Sequence, residues 1–297
     1  MARLVQILLA ALSRLPLAAL QALGGALGSL TRLASPAFAD RIKSNLNNSG
    51  LAENNNVLEE YVKRTARETG MGTLELAIAW TRDSKDIAAL VKSCDGWQHV
   101  EAALARGDGL VFVTPHLGAY DIAGRYLATR LPFPMTAMFR PPKYAFLEPV
   151  MQGGRARDGA ATAPATPAGV RIVMKALRNG EATIILPDQA PGSGEGVWAP
   201  FFGQPAYTMT LVPRLAQMKN VTTLMFWGER LPNGQGFAVH ISPLMEPFDG
   251  DRDADAARLN REVERLVGQA PTQYLWSYNR YKHPAGAPPR PGTEDAA

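Results

Sequence analysis

The residue pair best suited to acid–base chemistry is His116 and Asp121, in the stretch Thr114-Pro-His-Leu-Gly-Ala-Tyr-Asp121. A histidine accepts a proton near neutral pH and can act as a general base. A carboxylate hydrogen-bonded to the other ring nitrogen would fix the tautomer and stabilise the imidazolium. Because side chains this far apart in one helix point to different sides, we expect His116 in a loop and Asp121 in the helix that follows. The spacing alone is equally compatible with a structural histidine and a helix-capping aspartate.

A covalent nucleophile is not evident near this pair. The sequence has no Gly-x-Ser-x-Gly elbow, and its one cysteine, Cys94, lies in an unremarkable helical context. The hydroxyl group of an acceptor is therefore expected to attack directly, with His116 removing its proton. The single cysteine also excludes an intramolecular disulfide.

Composition argues against a metal site and a nucleotide site. The four histidines have no metal-ligand spacing, and no Cys/His cluster occurs. The Gly-rich stretch 192–196 lacks the Gly-Lys-Ser/Thr ending of a phosphate-binding loop. The formal net charge of +4 favours anionic partners, which include a membrane surface, phosphorylated lipids, an acidic carrier protein and nucleic acid, but it is equally typical of a solvated surface.

Short apolar runs that alternate with helical segments predict an α/β fold with a covered sheet. The predicted strands are 110–114, 135–139, 182–186 and the pair 222–230 and 237–241, joined at Asn233-Gly234. The predicted helical segments are 40–106, 119–130, 170–179, 208–219 and 252–268, and 159–169 is predicted to be a surface loop. Residues that directly follow the strands of such a sheet open into one crevice, where α/β proteins bind ligands.

Three further polar residues follow predicted strands. Asp188 and Gln189 end the third strand, so we expect Asp188 in the same crevice as His116, orienting either an acceptor sugar or an arginine; a turn-forming aspartate is the alternative. Arg140 ends the second strand and is a candidate for holding a phosphate or the thioester region, the alternative being a surface arginine.

Other arginines are candidates for binding anionic lipid headgroups. Arg155 and Arg157 suit this role, although surface solvation explains them equally well. Arg280 follows Trp276 and Tyr278, a combination of aromatic and cationic residues that is typical of a membrane interface. An ordinary C-terminal strand or helix edge is the alternative for Arg280.

The N-terminus is the most apolar part of the chain. Arg3, Arg14 and Arg32 interrupt it, and residues 15–31 carry no charge. This run is at the short end of what spans a bilayer, so an embedded anchor or hairpin competes with a helix lying in the interface, and a signal peptide is less favoured. We therefore divide the chain into a membrane segment (1–36), a catalytic domain (37–283) and a disordered tail rich in Pro, Gly and Ala (284–297).

Several blocks of sequence resemble one enzyme family. They are GLVFVTPHLGAYD (109–121), MFRP (138–141), LPDQ (186–189), GVWAPFFG (196–203) and QYLWSYNRYK (273–282). An H-x4-D pair after an apolar strand is similar to the signature of the glycerolipid acyltransferase superfamily. The blocks and their order resemble the late acyltransferases of lipid A biosynthesis, which transfer lauroyl or myristoyl groups. The resemblance covers roughly residues 1–283.

This resemblance implies a fold and a reaction. The fold would be a central mixed sheet flanked by helices, with an N-terminal apolar membrane helix. The reaction would move an acyl chain from acyl carrier protein, or from acyl-CoA, to the hydroxyl of a 3-hydroxyacyl chain on a lipid A precursor. His116 and Asp121 would be catalytic, and Arg140, Asp188 and Gln189 would line the substrate site.

The resemblance also implies a setting and leaves alternatives. The protein would work at the inner membrane with its active site facing the cytoplasm, without a metal, a cofactor or nucleic acid. The sequence departs from the family at two positions, since many members carry Glu at the place of Asp121 and Gly at the place of Pro115. Another acceptor (a lysophospholipid, an ornithine lipid or a glycolipid) and a catalytically inert membrane protein on the same fold remain the alternatives.

Overall fold

A computed structural model describes residues 2–139, 160–192 and 194–292. The helices are α1 (Ala2–Ser13), α2 (Leu17–Ala34), α3 (Pro36–Ser49), α4 (Asn55–Thr81), α5 (Ser84–Leu90), α6 (Trp97–Arg106), α7 (Tyr120–Arg130), α8 (Pro167–Arg178), α9 (Leu211–Ala216) and α10 (Arg252–Gln269). The strands are β1 (Val91–Asp95), β2 (Gly109–Val113), β3 (Met135–Phe139), β4 (Ala161–Pro164), β5 (Ala182–Ile185), β6 (Gly196–Phe201), β7 (Gln204–Met209), β8 (Val221–Arg230) and β9 (Phe237–Pro243).

Seven of these strands form one mixed sheet, in the order β1-β9-β8-β2-β5-β3-β4. Only β8 and β9 run antiparallel, joined by a short turn in which Asn233 and Gly234 have positive φ angles, while the other neighbours are parallel. β6 and β7 form a separate antiparallel hairpin. The predicted α/β fold with a central mixed sheet is confirmed.

The central strand β2 shows how the sequence builds two apolar layers. All five of its residues are buried, as expected for a strand covered on both faces. Because side chains alternate along a strand, Val111 and Val113 pack into the layer formed with α3, α4, α8, α9 and α10. Leu110 and Phe112 pack into the opposite layer, against α6 and α7.

Two edge strands lie where no strand was predicted. β1 lies inside the segment 40–106, which was predicted to be helical, and β4 lies inside the predicted surface loop 159–169. β1 is mostly polar and β4 has the sequence ATAP, so neither carries the apolar run that marks a central strand. Edge strands tolerate polar residues and proline because one side of the backbone makes no ladder.

The apolar N-terminus forms two helices rather than one long helix. α1 ends before Pro16, and α2 packs closely against α4 through facing glycines; a Cβ atom on Gly28 would lie 2.0 Å from the carbonyl oxygen of Ala66. Nowhere in the described ranges is a helix long and apolar enough to cross a bilayer. Of the two forms expected for the N-terminus, a spanning anchor is therefore not found, and a helix lying in the interface stays a prediction.

The outer faces of these two helices carry large apolar side chains. The exposed members are Leu4, Ile7, Leu8, Leu23, Leu27, Leu30 and Leu33. We call this set the N-terminal apolar surface. The opposite side of α2 is buried, with Leu20 fully enclosed. α2 is thus apolar on both sides, and its outer side is not covered by any of the described residues.

Candidate active site

His116 lies just beyond the end of β2, and Asp188 and Gln189 lie just beyond the end of β5. The two strands are adjacent and parallel, with Val113 opposite Ile185. Their carboxyl ends therefore meet at the same edge of the sheet, which brings the three side chains together as the sequence predicted.

Asp188 holds His116 with both of its carboxylate oxygens. Oδ1 lies 2.7 Å from the ring Nδ1, and Oδ2 accepts the backbone N–H of His116 at 2.9 Å. The Asp188 side chain is only 3% exposed. Burial alone would raise the pKa of this carboxyl, but attraction to His116, the hydrogen bonds from its ring and backbone, and the charge of Arg280 hold the pKa below its ordinary value.

This geometry corrects the role expected of Asp121. We predicted that Asp121 would accept the hydrogen bond from the histidine ring, but at Nδ1 that position belongs to Asp188. Asp121 lies in the first turn of α7 and lines, together with His116, a small cavity of about 110 Å³. The sequence could not assign the partner because Asp188 is 72 residues away and reaches His116 only through strand pairing.

The second ring nitrogen of His116 is the one available for proton transfer. An ionised carboxylate is only an acceptor, so Nδ1 carries the proton and Nε2 carries a lone pair. Nε2 lies 3.3 Å from the amide nitrogen of Gln189, which can donate to it. A substrate hydroxyl that displaced this amide would meet a base already held in the required tautomer.

The loop after His116 is held by two distant parts of the chain. The carbonyl oxygen of His116 accepts the N–H of Leu275 at 3.1 Å, and the N–H of Gly118 donates to the carbonyl oxygen of Gln273 at 3.0 Å. On the other side, the N–H of Ala119 donates to Gly228 of β8 at 2.7 Å. Gly118 has φ of 59°, and a Cβ there would lie 1.9 Å from the Gly228 oxygen.

A buried charge network supports this loop from behind. Gln273 exchanges two hydrogen bonds with the backbone of Arg230, at 2.9 and 3.0 Å. The Arg230 guanidinium pairs with Glu75 at 2.6 Å and with Glu68 at 2.5 Å, and Glu75 also accepts the amide of Gln21 from α2 at 2.8 Å. Burial would lower the pKa of Arg230, but the two glutamates raise it above its ordinary value.

The prediction that Arg280 meets lipid headgroups is wrong. Arg280 is 2% exposed and donates to the Tyr207 carbonyl at 2.8 Å, to the Thr208 hydroxyl at 2.8 Å and to the Asn260 side chain at 3.1 Å. Trp276 is buried as well. Arg280 and Trp276 therefore belong to the core rather than to an interface, and β7 and α10 supply the polar partners of Arg280, which cannot be read from the local sequence. Burial lowers the pKa of Arg280.

Three predicted substrate-binding residues, Arg140, Arg155 and Arg157, lie outside the described residues. Among the residues that the structure does describe, no group of three or more His, Cys, Asp and Glu side chains is arranged to hold a metal ion.

A second and much larger cavity, of about 910 Å³, also reaches His116. Its wall is largely apolar and includes Met138, Phe139, Val170, Met174, Leu186 and Met209. Three arginines, Arg171, Arg214 and Arg252, belong to the same lining and are exposed to solvent. No motif predicted these arginines, since each reads as an ordinary surface residue. The arrangement suits a long apolar chain with a negatively charged end.

Comparison with known proteins gives consistent matches. The sequence model for bacterial lipid A biosynthesis acyltransferases matches residues 1–283. The chain is 28% identical over 228 residues to the lipid A biosynthesis palmitoleoyltransferase of Escherichia coli K12, covering 75% of this chain and 72% of that protein. It is 27% identical over 234 residues to the lauroyltransferase of the same organism, covering 78% and 75%. It is 31% identical over 182 residues to a lipid A biosynthesis acyltransferase of Haemophilus influenzae, covering 61% and 56%.

Proposed function

This chain belongs to the bacterial lipid A biosynthesis acyltransferase family, and from that premise we propose that it transfers a fatty acyl chain from a thioester donor to a hydroxyl of a lipid A precursor. The observation that carries the proposal is His116, fixed by Asp188 at Nδ1 and placed where two cavities meet. A hydroxyl acceptor and a thioester both need to reach a single base, and this position is open to two substrates.

In the proposed reaction, Nε2 of His116 takes the proton of the acceptor hydroxyl as its oxygen attacks the thioester carbonyl carbon. The negative charge of Asp188 stabilises the imidazolium that forms. The carbon–sulfur bond then breaks, and the imidazolium returns the proton to the departing thiolate. The products are an ester and a free thiol, and His116 is neutral again.

We assign the donor role to an acyl group on acyl carrier protein, with acyl-CoA as the alternative. Both present the acyl chain as a thioester on a long arm, which suits the large apolar cavity. An acidic carrier protein would also be attracted by the net charge of +4. The enzyme would need no metal or further cofactor for this reaction.

We propose that the acceptor hydroxyl belongs to a 3-hydroxyacyl chain of the lipid A precursor. Asp121, in the small cavity beside His116, would help to place that hydroxyl, and Arg140, Arg155 and Arg157 remain candidates for its anionic groups. Another lipid acceptor, such as a lysophospholipid, an ornithine lipid or a glycolipid, is the alternative within the same chemistry.

For location we propose the cytoplasmic face of the inner membrane. The support is the N-terminal apolar surface, whose leucines and isoleucine are exposed in the folded chain. An amphipathic helix of this kind lies in the headgroup region with its apolar side in the acyl layer, and arginines such as Arg14 and Arg32 extend toward the lipid phosphates. Attachment would not require a spanning helix.

The test is acyl transfer by purified wild-type protein and His116→Ala, using acyl carrier proteins of several chain lengths and a tetra-acylated lipid A precursor. The variant should lose about 100- to 10,000-fold in kcat because it lacks the base, while circular dichroism shows an unchanged fold. Retention of most of the rate would refute the mechanism. If the wild type also fails to acylate this precursor, a lysophospholipid, an ornithine lipid and a glycolipid, the result would instead favour an inert membrane protein on this fold.

A further inference from the structure

The lining of the large cavity is largely apolar but includes three cationic side chains. Arg171 lies on the face of α8 that Val170 and Met174 also turn toward the cavity. Arg214 comes from α9, and Arg252 from the first turn of α10. Three separate helices therefore each contribute one exposed guanidinium to a largely apolar cavity whose lining also includes His116.

These positive charges are largely uncommitted. The guanidinium groups of Arg171 and Arg214 have no hydrogen bond or ion pair with any other residue in the described parts of the chain. Among the same residues, the Arg252 guanidinium donates to one group, the backbone carbonyl of Gly196, at 3.0 Å. A neutral carbonyl leaves the charge of the guanidinium unbalanced, so all three groups can still attract an anion.

The acidic residues of the described lining do not cancel this charge. They are Asp255 and Glu195. Asp255 is buried, and its carboxylate already pairs with Arg258 at 2.7 Å and accepts the backbone N–H groups of Asp249 and Gly250. Apart from the paired Asp255, the described lining therefore has one carboxylate, that of Glu195, and three arginines, so its net charge is positive.

We propose that Arg171, Arg214 and Arg252, which line one cavity, bind a phosphate group of the substrate whose reacting group lies at His116. The inference rests on the proposed function. Both substrates of that reaction carry phosphate: the donor on the arm that bears the thioester, and the acceptor on its sugar. A planar guanidinium can donate two parallel N–H hydrogen bonds to the oxygens of one phosphate group.

The chemical composition of the cavity lining supports this assignment. An acyl chain and a thioester are uncharged, so they suit the wall formed by residues such as Met138, Phe139 and Met174. Either substrate also carries an anionic phosphate, and the arginines of the described lining are these three. Binding of the phosphate by the arginines would also hold the substrate in place while its thioester or hydroxyl reaches His116.

The test measures binding to the full-length protein by titration calorimetry, without turnover. One probe pair is 4′-phosphopantetheine and pantetheine; the other is a glucosamine disaccharide with and without its phosphates. Wild type should bind the phosphorylated member of one pair about tenfold or more tightly than its partner. The double variant Arg171→Ala/Arg214→Ala should lose that preference, and Arg171→Lys/Arg214→Lys should keep part of it because lysine retains the charge.

Arg178→Ala is the matched control, since Arg178 is exposed at the other end of α8 and is not part of the cavity lining; it should bind like wild type. A preference within the pantetheine pair assigns the phosphate to the donor, and one within the disaccharide pair assigns it to the acceptor; both support the site. An equal preference in wild type and the double alanine variant, or no preference in wild type, overturns it. Since binding needs no catalysis, failure of acyl transfer would count against the proposed function and not against this site.

Discussion

At the scale of single residues, the pairing of His116 with Asp188 defines the chemistry that this protein can perform. One carboxylate fixes both the ring and the backbone of the histidine. The Asp188 carboxylate therefore selects the tautomer of the His116 ring and also restrains the loop that carries it. Asp121 has a different position, in the wall of the small cavity. The two aspartates should accordingly respond differently to loss of charge.

We predict that Asp188→Asn lowers kcat by about 100-fold or more, because the amide neither stabilises the imidazolium nor enforces the same tautomer. Asp121→Asn serves as the comparison: if Asp121 places the acceptor, its KM for the lipid should rise more than its kcat falls. Steady-state kinetics of the two variants measures this difference. Equal kcat for Asp188→Asn and wild type would contradict the assigned role of Asp188.

The lowered pKa of Asp188 also predicts a pH dependence of stability. In the unfolded chain this carboxyl binds protons near its ordinary pKa of 3.8, whereas in the folded protein it binds them only at lower pH. Its stabilising contribution is therefore complete above the ordinary pKa and is lost as pH falls through the lowered one. Urea unfolding of wild type and Asp188→Asn should show a constant difference in free energy near neutral pH that shrinks below about pH 4. A difference that grows in acid would contradict this.

The position of His116 was predictable from the sequence because an apolar run, a proline and a histidine mark the end of a strand locally. The partnership with Asp188 was not, because it depends on which strands are neighbours. The prediction for Arg280 failed for a related reason, because its polar partners come from β7 and α10. The local sequence does not distinguish a buried arginine with such partners from an exposed one.

At the scale of elements, the loop 116–119 is where β2, β8 and the C-terminal block meet. Gly228 and Gln273 hold it by backbone hydrogen bonds from opposite sides. The C-terminal block QYLWSYNRYK was recognised from the sequence as a unit, but its structural role could not be predicted. Gln273 and Leu275 act through backbone groups on the loop that carries His116, and such contacts leave no signature in residue type.

We predict that Gly118→Ala destabilises the fold and lowers activity together. Its φ is 59°, and the new methyl would lie 1.9 Å from a backbone oxygen, so the loop must move. Gly107→Ala is the control, because Gly107 has φ of 72° with no atom within 4 Å of the added carbon. Both variants carry the conformational cost of about 1 kcal/mol, and Gly118→Ala should cost at least about 2 kcal/mol more. Denaturant unfolding and transfer rates would measure this, and equal losses in the two variants would contradict the steric argument.

At the scale of the whole molecule, the fold presents two distinct regions. One end of the sheet holds His116 and the two cavities, while the N-terminal apolar surface is formed by α1 and α2. The sequence predicted an apolar, membrane-associated N-terminus, but it could not predict that this segment folds as two helices. The division into two helices and the close packing of α2 on α4 depend on Gly24, Gly28 and Gly70, which meet only in three dimensions.

We predict that Leu30→Glu/Leu33→Glu weakens binding to vesicles of anionic phospholipid by at least about tenfold, since each leucine removed from the acyl layer costs roughly 1.5–3 kcal/mol. Both side chains are exposed, at 60% and 69%, so the fold should persist. Met245→Glu is the control, as Met245 is exposed but lies outside the N-terminal apolar surface. Vesicle flotation measures the outcome; equal binding by all three proteins would contradict the proposed attachment.

The contact between α2 and α4 has a practical consequence for anyone who wishes to prepare a shortened protein. An apolar N-terminus is often deleted to make a protein more soluble. In this protein the deletion would expose the surfaces against which Leu20 and Gly28 pack, and it would remove the hydrogen bond from the Gln21 amide to Glu75. Glu75 in turn holds Arg230, whose backbone is tied to Gln273 beside the catalytic loop. In a protein shortened in this way, the loss of these contacts would also weaken the support of the loop that carries His116. Replacing the outward-facing leucines and leaving the helix in place is the gentler design.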